Sequence, residues 1–487
     1  MYHGVINRDI KGIFSYGFYS YGFTYFLLNL TASFTALGLS EESYSIIIPR
    51  IVTSITFTLS LLVIYLILNM LKVKGREMFL ALLIILLMPG TWYNSSWFHP
   101  DFMMTLFILI SILFLAKSGL KIDRNYWKSV VCWATAVAIK IQAITFAPVY
   151  IFLIFLRLGK QNGYSSEIIL SVKTFFVVIL IFTILNPYIL NSVGFDYWLS
   201  SIKFNIQSNN SDHGSGKTLE KFYIIQQAIF NFYYSPLLFF SVAAASIYNV
   251  ISSIYQSKFE LTGAISFYVL VNFIYNIFFI NKAWNHYYLT VSYIGIIILC
   301  LTIKNIELKL NKFLLILFFN VLILSQFYNY YYDLKNIIKN RINGNIFSYD
   351  NLILDKPKLV NKKNIENESK EIIELLEGRV NDKNIILTTP FINIPFKQLG
   401  FLYRNIKIIY GPININNLIN RKSIFKNADF IILVKADYSF SECNANWDIK
   451  NFEYYELTKI IKSWFDSGGA YTLDNKTKNY YLFKISK

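Results

Sequence analysis

The residues best suited to chemistry are His99 and Asp101, which stand on either side of a proline in the short polar stretch Trp97 to Asp101. Apolar runs at 79–92 and 102–116 flank this stretch and predict two consecutive membrane spans with a tight turn between them. An imidazole or a carboxylate at the end of a span costs desolvation energy, so such groups are functional candidates. The alternative is a solvated hairpin tip with an ordinary turn proline.

A lysine lies inside a long apolar run, residues 129–156, which Lys140 and Gln142 interrupt. An ammonium group there is costly unless it faces a cavity or a partner, so Lys140 is a candidate for contact with a lipid phosphate. Snorkelling of the ammonium to the membrane interface is the alternative. The run is also long enough for two half-helices that enter the membrane and return.

Other polar loops add histidines and lysines to these candidates. His213 lies in the long loop 191–230, while Lys282 and His286 lie in the short loop 281–286. If these loops face the same side as His99, their imidazole and ammonium groups converge and could bind a phosphate. Because Asn, Ser and Gly are common loop formers, an ordinary surface loop is the alternative for 191–230.

The composition indicates a polytopic membrane protein. Of 487 residues, 55% are hydrophobic, 18% aromatic and only 15% charged, which exceeds the apolar content of soluble globular chains. The formal net charge of +17 would suit a nucleic-acid partner, but many of the basic residues lie in short loops between apolar runs, where they mark the cytoplasmic side. We therefore expect a lipid bilayer as partner and no nucleic acid. The three cysteines offer neither a disulfide framework nor a metal-ligand spacing.

The apolar runs predict an all-α membrane domain with spans near 46–71, 78–97, 102–116, 129–156, 174–190, 231–255, 263–280, 287–303 and 313–331. If 129–156 is a pair of half-helices, the basic loops alternate cleanly with loops poor in cations. The positive-inside rule then places 97–101, 191–230, 281–286 and everything after Tyr332 on the extracytoplasmic side. We expect a multi-pass protein of the plasma membrane with its active site outside.

Three regions follow from this pattern. Residues 1–45 form an outer N-terminal segment, whose tyrosine-rich stretch 16–39 either spans the membrane or lies on it as an interfacial helix. Residues 46–331 form the transmembrane domain. Residues 332–487 form a small extracytoplasmic α/β domain. In that domain we expect helices at 371–377 and 454–465, strands at 384–388, 406–410 and 429–434, and a last hairpin around Asp474 and Asn475.

Several short motifs occur in a particular order along residues 16–331. In chain order they are the segment 25–39 followed by Pro49 and Arg50, His99-Pro100-Asp101, Ala138-Ile139-Lys140, Asn186-Pro187-Tyr188, His213-Gly214 and His286-Tyr287-Tyr288. This order resembles the dolichyl-phosphate-mannose-protein mannosyltransferase-like membrane glycosyltransferases of the GT-C class. The resemblance implies a GT-C fold, an active site on the outer face and a polyprenyl-phosphate-linked sugar as donor. It also implies an interfacial helix before the arginine, which favours the surface position of 16–39.

The sequence departs from that family in one respect. The family has a first span at the N-terminus and an acidic pair early in the first outer loop, whose acid is taken to be the catalytic base. Here Asp9 is the only carboxylate before Glu41. We therefore expect an N-terminally incomplete chain. The alternatives are that Asp9 takes the role or that the protein is inactive as written.

The resemblance also implies roles for the candidate residues. An outer carboxylate would deprotonate an acceptor hydroxyl, which displaces polyprenyl phosphate from the anomeric carbon with inversion. Asp101, supported by His99, would orient the acceptor or the phosphate or help to hold a divalent cation, a question that one aspartate and scattered histidines leave open. Cations would stabilise the leaving phosphate, and the candidates for this contact are Lys140, His213, Lys282 and His286. The acceptor is a glycan, a lipid or a protein.

Two other classes compete with this one. A secondary transporter would also carry a charge inside an apolar run, but it should show internal repeats with Gly/Pro-broken helices in corresponding halves, and we find no such repeat. A non-catalytic membrane scaffold, whose C-terminal domain binds a surface glycan or protein, is favoured if the acidic motif is genuinely missing.

Overall fold

The computed structural model describes residues 21–37, 47–95, 97–154, 164–209, 219–255, 261–307, 312–342, 370–380, 384, 386–388, 406–408, 429–434, 470–477 and 480–486. The chain divides into two units, Met1–Lys335 and Asn336–Lys487. The candidate functional residues that the structure describes lie in the first unit.

The described part of the first unit is mainly helical. Its principal helices are α1 (Phe23–Leu37), α2 (Ile47–Met70), α3 (Gly75–Leu86), α4 (Pro89–Ser95), α5 (Asp101–Ser118), α6 (Arg124–Ile139), α7 (Ala147–Phe152), α8 (Tyr164–Leu185), α9 (Ser192–Asn209), α10 (Pro236–Tyr255), α11 (Leu261–Ile274), α12 (Leu289–Glu307) and α13 (Lys312–Ile342).

Six helical stretches among the described residues are long and apolar enough to cross a membrane: Ile48–Met70, Asp101–Ser118, Ser165–Leu185, Pro236–Tyr255, Leu261–Phe279 and Asn285–Ile306. They confirm the prediction of an all-α polytopic domain. The span predicted near 78–97 is bent, because α3 and α4 make an angle of 68° with each other. The bend falls just before Pro89, where the proline ring disfavours helical backbone at the preceding residue.

Helix α12 is the most deeply buried span and packs against α3, α5, α10 and α11. Near its start, Thr290 shares a 2.7 Å hydrogen bond with Thr105 of α5, and the Tyr234 hydroxyl donates to the Ser292 carbonyl across 2.6 Å. Only glycine fits at position 295, since a Cβ there would lie 2.4 Å from the Tyr234 hydroxyl oxygen. These contacts fix the start of α12 relative to α5.

The apolar run 129–156 is divided at its charged residue. Helix α6 ends at Ile139, and Lys140 has extended backbone angles of φ −151° and ψ 119°. Lys140 forms an antiparallel bridge with Tyr21, and the Gly22 amide donates to the Ile139 carbonyl across 2.8 Å. The chain continues as a 3-10 helix, Ile141–Phe146, and then as α7. The Lys140 amide still donates to the Ala136 carbonyl across 3.0 Å, so the pairing with the N-terminal segment begins at the last turn of α6.

The predicted loop 191–230 is helical over much of its length, which corrects that prediction. It contains α9 and the helical stretches Lys221–Ile224 and Ile225–Phe230. Trp198 of α9 lies 5.8 Å, between ring centroids, from Phe182 of α8. Helix α9 contains too many polar residues among its apolar ones to have the hydropathy of a membrane span. Its sequence therefore predicts a loop when hydropathy is the only criterion. Residues 210–218 lie outside the described part of the chain.

The second unit contains a mixed five-stranded sheet with the strand order β2-β1-β3-β5-β4. Its strands are β1 (Ile386–Thr388), β2 (Ile406–Ile408), β3 (Phe430–Val434), β4 (Ala470–Lys476) and β5 (Tyr480–Ser486). Strand β1 pairs in parallel with β2 and β3, while β5 pairs antiparallel with β3 and β4. A helix at 370–376 buries Ile372, Leu375 and Leu376. These elements confirm the predicted α/β character.

The predicted final hairpin is present, but its turn lies further along the chain than Asp474 and Asn475. Asp474 and Asn475 lie within β4, where the register shifts between Leu473 and Asn475, and the chain turns after Lys476. The Asn475 side-chain amide donates to the Leu375 carbonyl across 3.1 Å, so this asparagine caps the nearby helix and does not form the turn. The predicted helix 454–465 lies outside the described residues.

Candidate active site

Four of the candidate residues meet in one buried group, His99, Asp101, Lys140 and His286. We call it the outer cluster after the side that the positive-inside rule predicts for it. None of the four is more than 6% exposed. The Lys140 ammonium donates to Oδ1 of Asp101 across 2.8 Å, and Nδ1 of His99 contacts Oδ2 of the same carboxylate. The rings of His99 and His286 lie 4.7 Å apart between centroids. Both carboxylate oxygens of Asp101 are therefore engaged by neighbouring side chains.

Helix lengths and one tight turn bring Asp101 and Lys140 together. Asp101 is the first residue of α5, where the helix dipole favours a carboxylate. Gly119 and Leu120 end that helix with positive φ angles of 58° and 65°, and α6 returns along α5. The two helices have 18 and 16 residues, so the residue that follows α6 arrives beside the residue that begins α5.

A buried amide network places His286. The residue lies in a 3-10 turn, Asn285–Tyr288, that leads into α12. The Asn94 side-chain amide donates to Oδ1 of Asn285 across 3.3 Å and to the Tyr233 hydroxyl across 3.0 Å. This network ties the turn to α4, which precedes the polar stretch that holds His99.

Tyr21 is a member of the site that the sequence analysis did not single out. Its hydroxyl bonds to Nε2 of His99, and its ring lies 5.8 Å from the Lys140 nitrogen. The tyrosine-rich stretch 16–39 was recognised, but its tyrosines were assigned only to the membrane interface. Nothing in hydropathy marks Tyr21 among the other tyrosines, because its contact depends on the bridge to Lys140.

Asn186 fastens this N-terminal segment in place. Its Oδ1 accepts from the Phe23 amide across 2.8 Å, and its Nδ2 donates to the Ala138 carbonyl across 3.1 Å. Between these contacts, Gly22 passes so close that a Cβ would lie 1.6 Å from the Ala138 oxygen. Two motifs that are distant in sequence, at 138–140 and 186–188, are thus joined through residues 22 and 23.

Aromatic rings surround the histidines and bring in Lys282. Trp97 stacks on His99 with 4.2 Å between ring centroids and an interplanar angle of 12°. Lys282, which is 3% exposed, places its ammonium 4.5 Å from the ring centre of Trp284, and that ring lies 5.3 Å from His286. Lys282 therefore adjoins the outer cluster. The remaining candidates, Asp9 and His213, lie outside the described residues.

Burial shifts the pKa values of the groups around His99. Burial, followed by the nearby Lys140 and His286, lowers the pKa of His99 well below its usual value. Burial also raises the pKa of the Tyr21 hydroxyl. His99 thus lies between the Tyr21 hydroxyl at Nε2 and the Asp101 carboxylate at Nδ1.

The donor atoms of the outer cluster suit a transition metal. One ligand atom each from His99, Asp101 and His286 lies within 4.8 Å of the others, and two imidazoles with a carboxylate are typical zinc donors. These three residues could therefore hold a divalent cation. Burial lowers the pKa of the neighbouring Lys140 amine well below its usual value.

No protein-family model matches the sequence, and no curated protein matches it. Several solved structures do match. One is ArnT from Cupriavidus metallidurans bound to undecaprenyl phosphate, with a TM-score of 0.53 and 9% identity over 96% of this chain and 88% of that one. Another is the Archaeoglobus fulgidus oligosaccharyltransferase tethered to an acceptor peptide with the NVT sequon, with a TM-score of 0.54 and 12% identity over 95% of this chain and 65% of that one.

The same oligosaccharyltransferase in complex with Zn and sulfate matches with a TM-score of 0.50 and 14% identity over 85% of this chain. The match covers 59% of that chain, so this protein spans less than two thirds of the oligosaccharyltransferase. Likeness at these identities concerns the fold. The chain has the fold of the GT-C membrane enzymes, as the order of its motifs predicts.

Proposed function

We propose that the protein is a membrane glycosyltransferase, which moves a sugar from a polyprenyl-phosphate-linked donor to an acceptor on the extracytoplasmic face. The observation that carries the proposal is the charge composition of a buried site in a GT-C fold. Lys140 and the two imidazoles lie around the carboxylate of Asp101, and Lys282 adjoins this group beside His286. Groups of this kind stabilise the negative charge that develops on a departing phosphate.

The proposed reaction is one displacement at the anomeric carbon. An acceptor oxygen forms the new glycosidic bond as the bond from the anomeric carbon to the phosphate oxygen breaks, and the polyprenyl phosphate leaves with the electron pair. The configuration at the anomeric carbon is inverted. The acceptor proton passes to a carboxylate of the first outer loop, for which Asp9 is the candidate that this sequence offers.

The residues of the outer cluster and its neighbours have two proposed roles, which are to bind the donor phosphate and to position the groups that bind it. We assign the contacts with the donor phosphate to Lys140, Lys282, His286 and His213. Asp101 is a positioning residue, because both its oxygens are engaged: it holds the Lys140 ammonium and orients His99 through Nδ1. Trp97 stacks on His99 and limits its rotation. None of these steps passes through a metal ion.

Two features of the neighbours support the choice of donor and acceptor. ArnT was crystallised with undecaprenyl phosphate, a polyprenyl phosphate, and the oligosaccharyltransferase with an acceptor peptide. The finer assignment to the dolichyl-phosphate-mannose-protein mannosyltransferase-like family rests on the motif order in the sequence. The proposed acceptor belongs to one of three classes: a glycan, a lipid or a protein.

The proposal includes an orientation in the plasma membrane. According to the positive-inside rule, basic loops lie on the cytoplasmic side. The rule predicts that the outer cluster and residues 332–487 lie on the extracytoplasmic side. The resemblance in motif order implies an interfacial helix before Arg50. We therefore place α1, whose described part has 15 residues, at the outer surface.

A donor panel tests the proposed function. The purified protein in lipid nanodiscs is incubated with short-chain polyprenyl phosphates that carry different radiolabelled sugars, and with the corresponding nucleotide sugars as matched controls. We expect sugar release, with free polyprenyl phosphate, from at least one lipid-linked donor and from none of the nucleotide sugars. Transfer from a nucleotide sugar, or no turnover of any lipid-linked sugar by folded protein, would contradict the proposal.

A further inference from the structure

We propose that a set of amide and hydroxyl side chains beside the outer cluster binds the sugar of the donor, and that this sugar is neutral and offers a hydroxyl to them. We call the set the amide group, and its members are Gln142, Thr145, Asn272 and Asn276. The inference rests on the proposed transfer from a lipid-linked donor. It adds a contact with the sugar to the contacts already assigned to the phosphate.

A continuous chain of hydrogen bonds joins the amide group. The Asn276 side-chain amide donates to Oδ1 of Asn272 across 2.7 Å, and the Asn272 amide donates to the Thr145 hydroxyl across 3.0 Å. The Thr145 hydroxyl donates to the backbone carbonyl of Gln142 across 2.9 Å. The chain of bonds therefore links the 3-10 helix that follows Lys140 to the end of α11.

Both ends of the amide group adjoin the outer cluster. Gln142 is two residues beyond Lys140, and the Asn276 amide donates to the Tyr287 carbonyl across 3.2 Å. Tyr287 follows His286, and its ring centre lies 5.4 Å from the Lys140 nitrogen. In the proposed donor, the sugar is bonded directly to the phosphate that Lys140 and His286 contact. The sugar must therefore lie close to these two residues, which the amide group adjoins.

Two oxygen atoms of the amide group, Oδ1 of Asn276 and Oε1 of Gln142, are buried and have no hydrogen-bond partner within the described part of the chain. The orientation of the Asn276 amide follows from its neighbours, because its nitrogen faces two carbonyl oxygens and only an NH₂ group can donate to both. A buried acceptor without a partner costs free energy. A bound molecule that donates a hydrogen bond would remove this cost.

The chemistry of the two oxygens selects the class of ligand. Both are acceptors, so the bound group must be a donor, as a sugar hydroxyl is. The amide group carries no charge, so burying a charged substituent of the sugar against it is costly. Asn276 also lies in a π-helical turn, Tyr275–Phe279, that continues α11, and such turns frequently occur at functional sites. These properties suit a hydroxyl of a neutral sugar.

Donors that lack single hydroxyls test the inference. The lipid-linked donor that the wild-type protein turns over is compared with analogues that each lack one hydroxyl of the sugar. For the wild type, we expect loss of one particular hydroxyl to lower kcat/KM about 10-fold or more, because a buried acceptor then stays unpaired. Asn276→Leu removes that acceptor, so it should discriminate against the same analogue by less than about 3-fold.

Two other variants separate recognition of the sugar from folding. Gln142→Met removes the second oxygen and keeps the bond from Thr145, which contacts only the Gln142 backbone. It should also lose discrimination at one hydroxyl, and it replaces Asn276→Leu if that variant does not fold. Asn249→Leu is the matched control, because Asn249 is a buried asparagine of α10 whose amide donates to Thr302 across 2.7 Å. This control should keep the wild-type preference among the analogues.

Binding of a short-chain polyprenyl phosphate without a sugar, measured by calorimetry, should be the same for the wild type and the variants of the amide group. Weaker binding by folded variants would place their effect at the phosphate and overturn the inference. So would a wild-type preference among the analogues in both variants, since the amide group would then hold ordered water only. Absence of turnover by the wild type with every lipid-linked sugar would instead contradict the proposed function, on which the inference rests.

Discussion

The ammonium of Lys140, which follows the last residue of α6, donates a 2.8 Å hydrogen bond to the carboxylate of Asp101, the first residue of α5. The pair is buried, so each group depends on the other for its solvation. It also depends on the N-terminal segment, because Lys140 is held in extended conformation by Tyr21. Three segments that are separate in sequence thereby share one electrostatic interaction.

Asp101→Asn should reduce sugar transfer at least about 100-fold, the usual cost of losing a preorganised charged group in an active site. The amide has nearly the same shape but leaves the Lys140 ammonium without its anion. We expect the free energy of unfolding to fall by about 3–5 kcal/mol, since one partner of a buried ion pair remains. Turnover and thermal melts measure the two effects. Near-normal turnover would contradict the positioning role of Asp101.

Lys140→Met should weaken binding of the lipid-linked donor and leave binding of the acceptor almost unchanged. Methionine keeps much of the side-chain volume and removes the charge, so the KM for the lipid-linked donor should rise about 10-fold or more. The KM for the acceptor should change less than about 2-fold, because the proposed contact is with the phosphate. Lys128→Met is the matched control. An unchanged KM for the donor would indicate that the phosphate is bound by His213, Lys282 and His286 and not by Lys140.

Gly22→Ala should disrupt the link between the N-terminal segment and the outer cluster. The added Cβ would lie 1.6 Å from the Ala138 carbonyl oxygen, and we expect a loss of about 3 kcal/mol in stability together with most of the activity. Gly75→Ala is a matched control, since a Cβ there meets nothing within 4 Å. It should be neutral or slightly stabilising. Equal melting temperatures for the two variants would refute the close approach.

Tyr21→Phe should lower turnover about 5-fold while the protein keeps its fold. The change removes the hydroxyl that bonds to Nε2 of His99, and one such hydrogen bond contributes about 1 kcal/mol. Tyr25→Phe is the comparison, because among the described residues the buried Tyr25 hydroxyl meets no hydrogen-bond partner. That variant should retain wild-type turnover. If both variants lost activity equally, the tyrosine at position 21 would have only a packing role.

Cysteine labelling tests the orientation. In a background without the three native cysteines, a cysteine at Ser211 should react with an impermeant maleimide added to intact cells. A cysteine at Lys121, which is exposed between α5 and α6, should react only after the membrane is opened. The reverse pattern would place the outer cluster on the cytoplasmic side.

Much of the helical architecture could be predicted because long apolar runs leave few alternatives. The residues His99, Asp101, Lys140 and His286 could be selected because each places a polar group at the edge of a span or within an apolar run. Their mutual contacts could not be predicted, since these depend on α6 returning along α5. Tyr21 was missed because it differs from neighbouring tyrosines only through the bridge to Lys140. The helices within 191–230 were missed because their apolar and polar residues are too mixed for a hydropathy signal.

The division of the run 129–156 at Lys140 also constrains how the chain enters the membrane during synthesis. Helix α6 emerges from the ribosome with an ammonium at its far end, and the hydrocarbon interior offers that group no counter-ion. The carboxylate that compensates it belongs to α5, which is made first and is joined to α6 by the turn at Gly119 and Leu120. We therefore expect α5 and α6 to insert together as a hairpin, so that Lys140 crosses the translocation channel already matched to its partner.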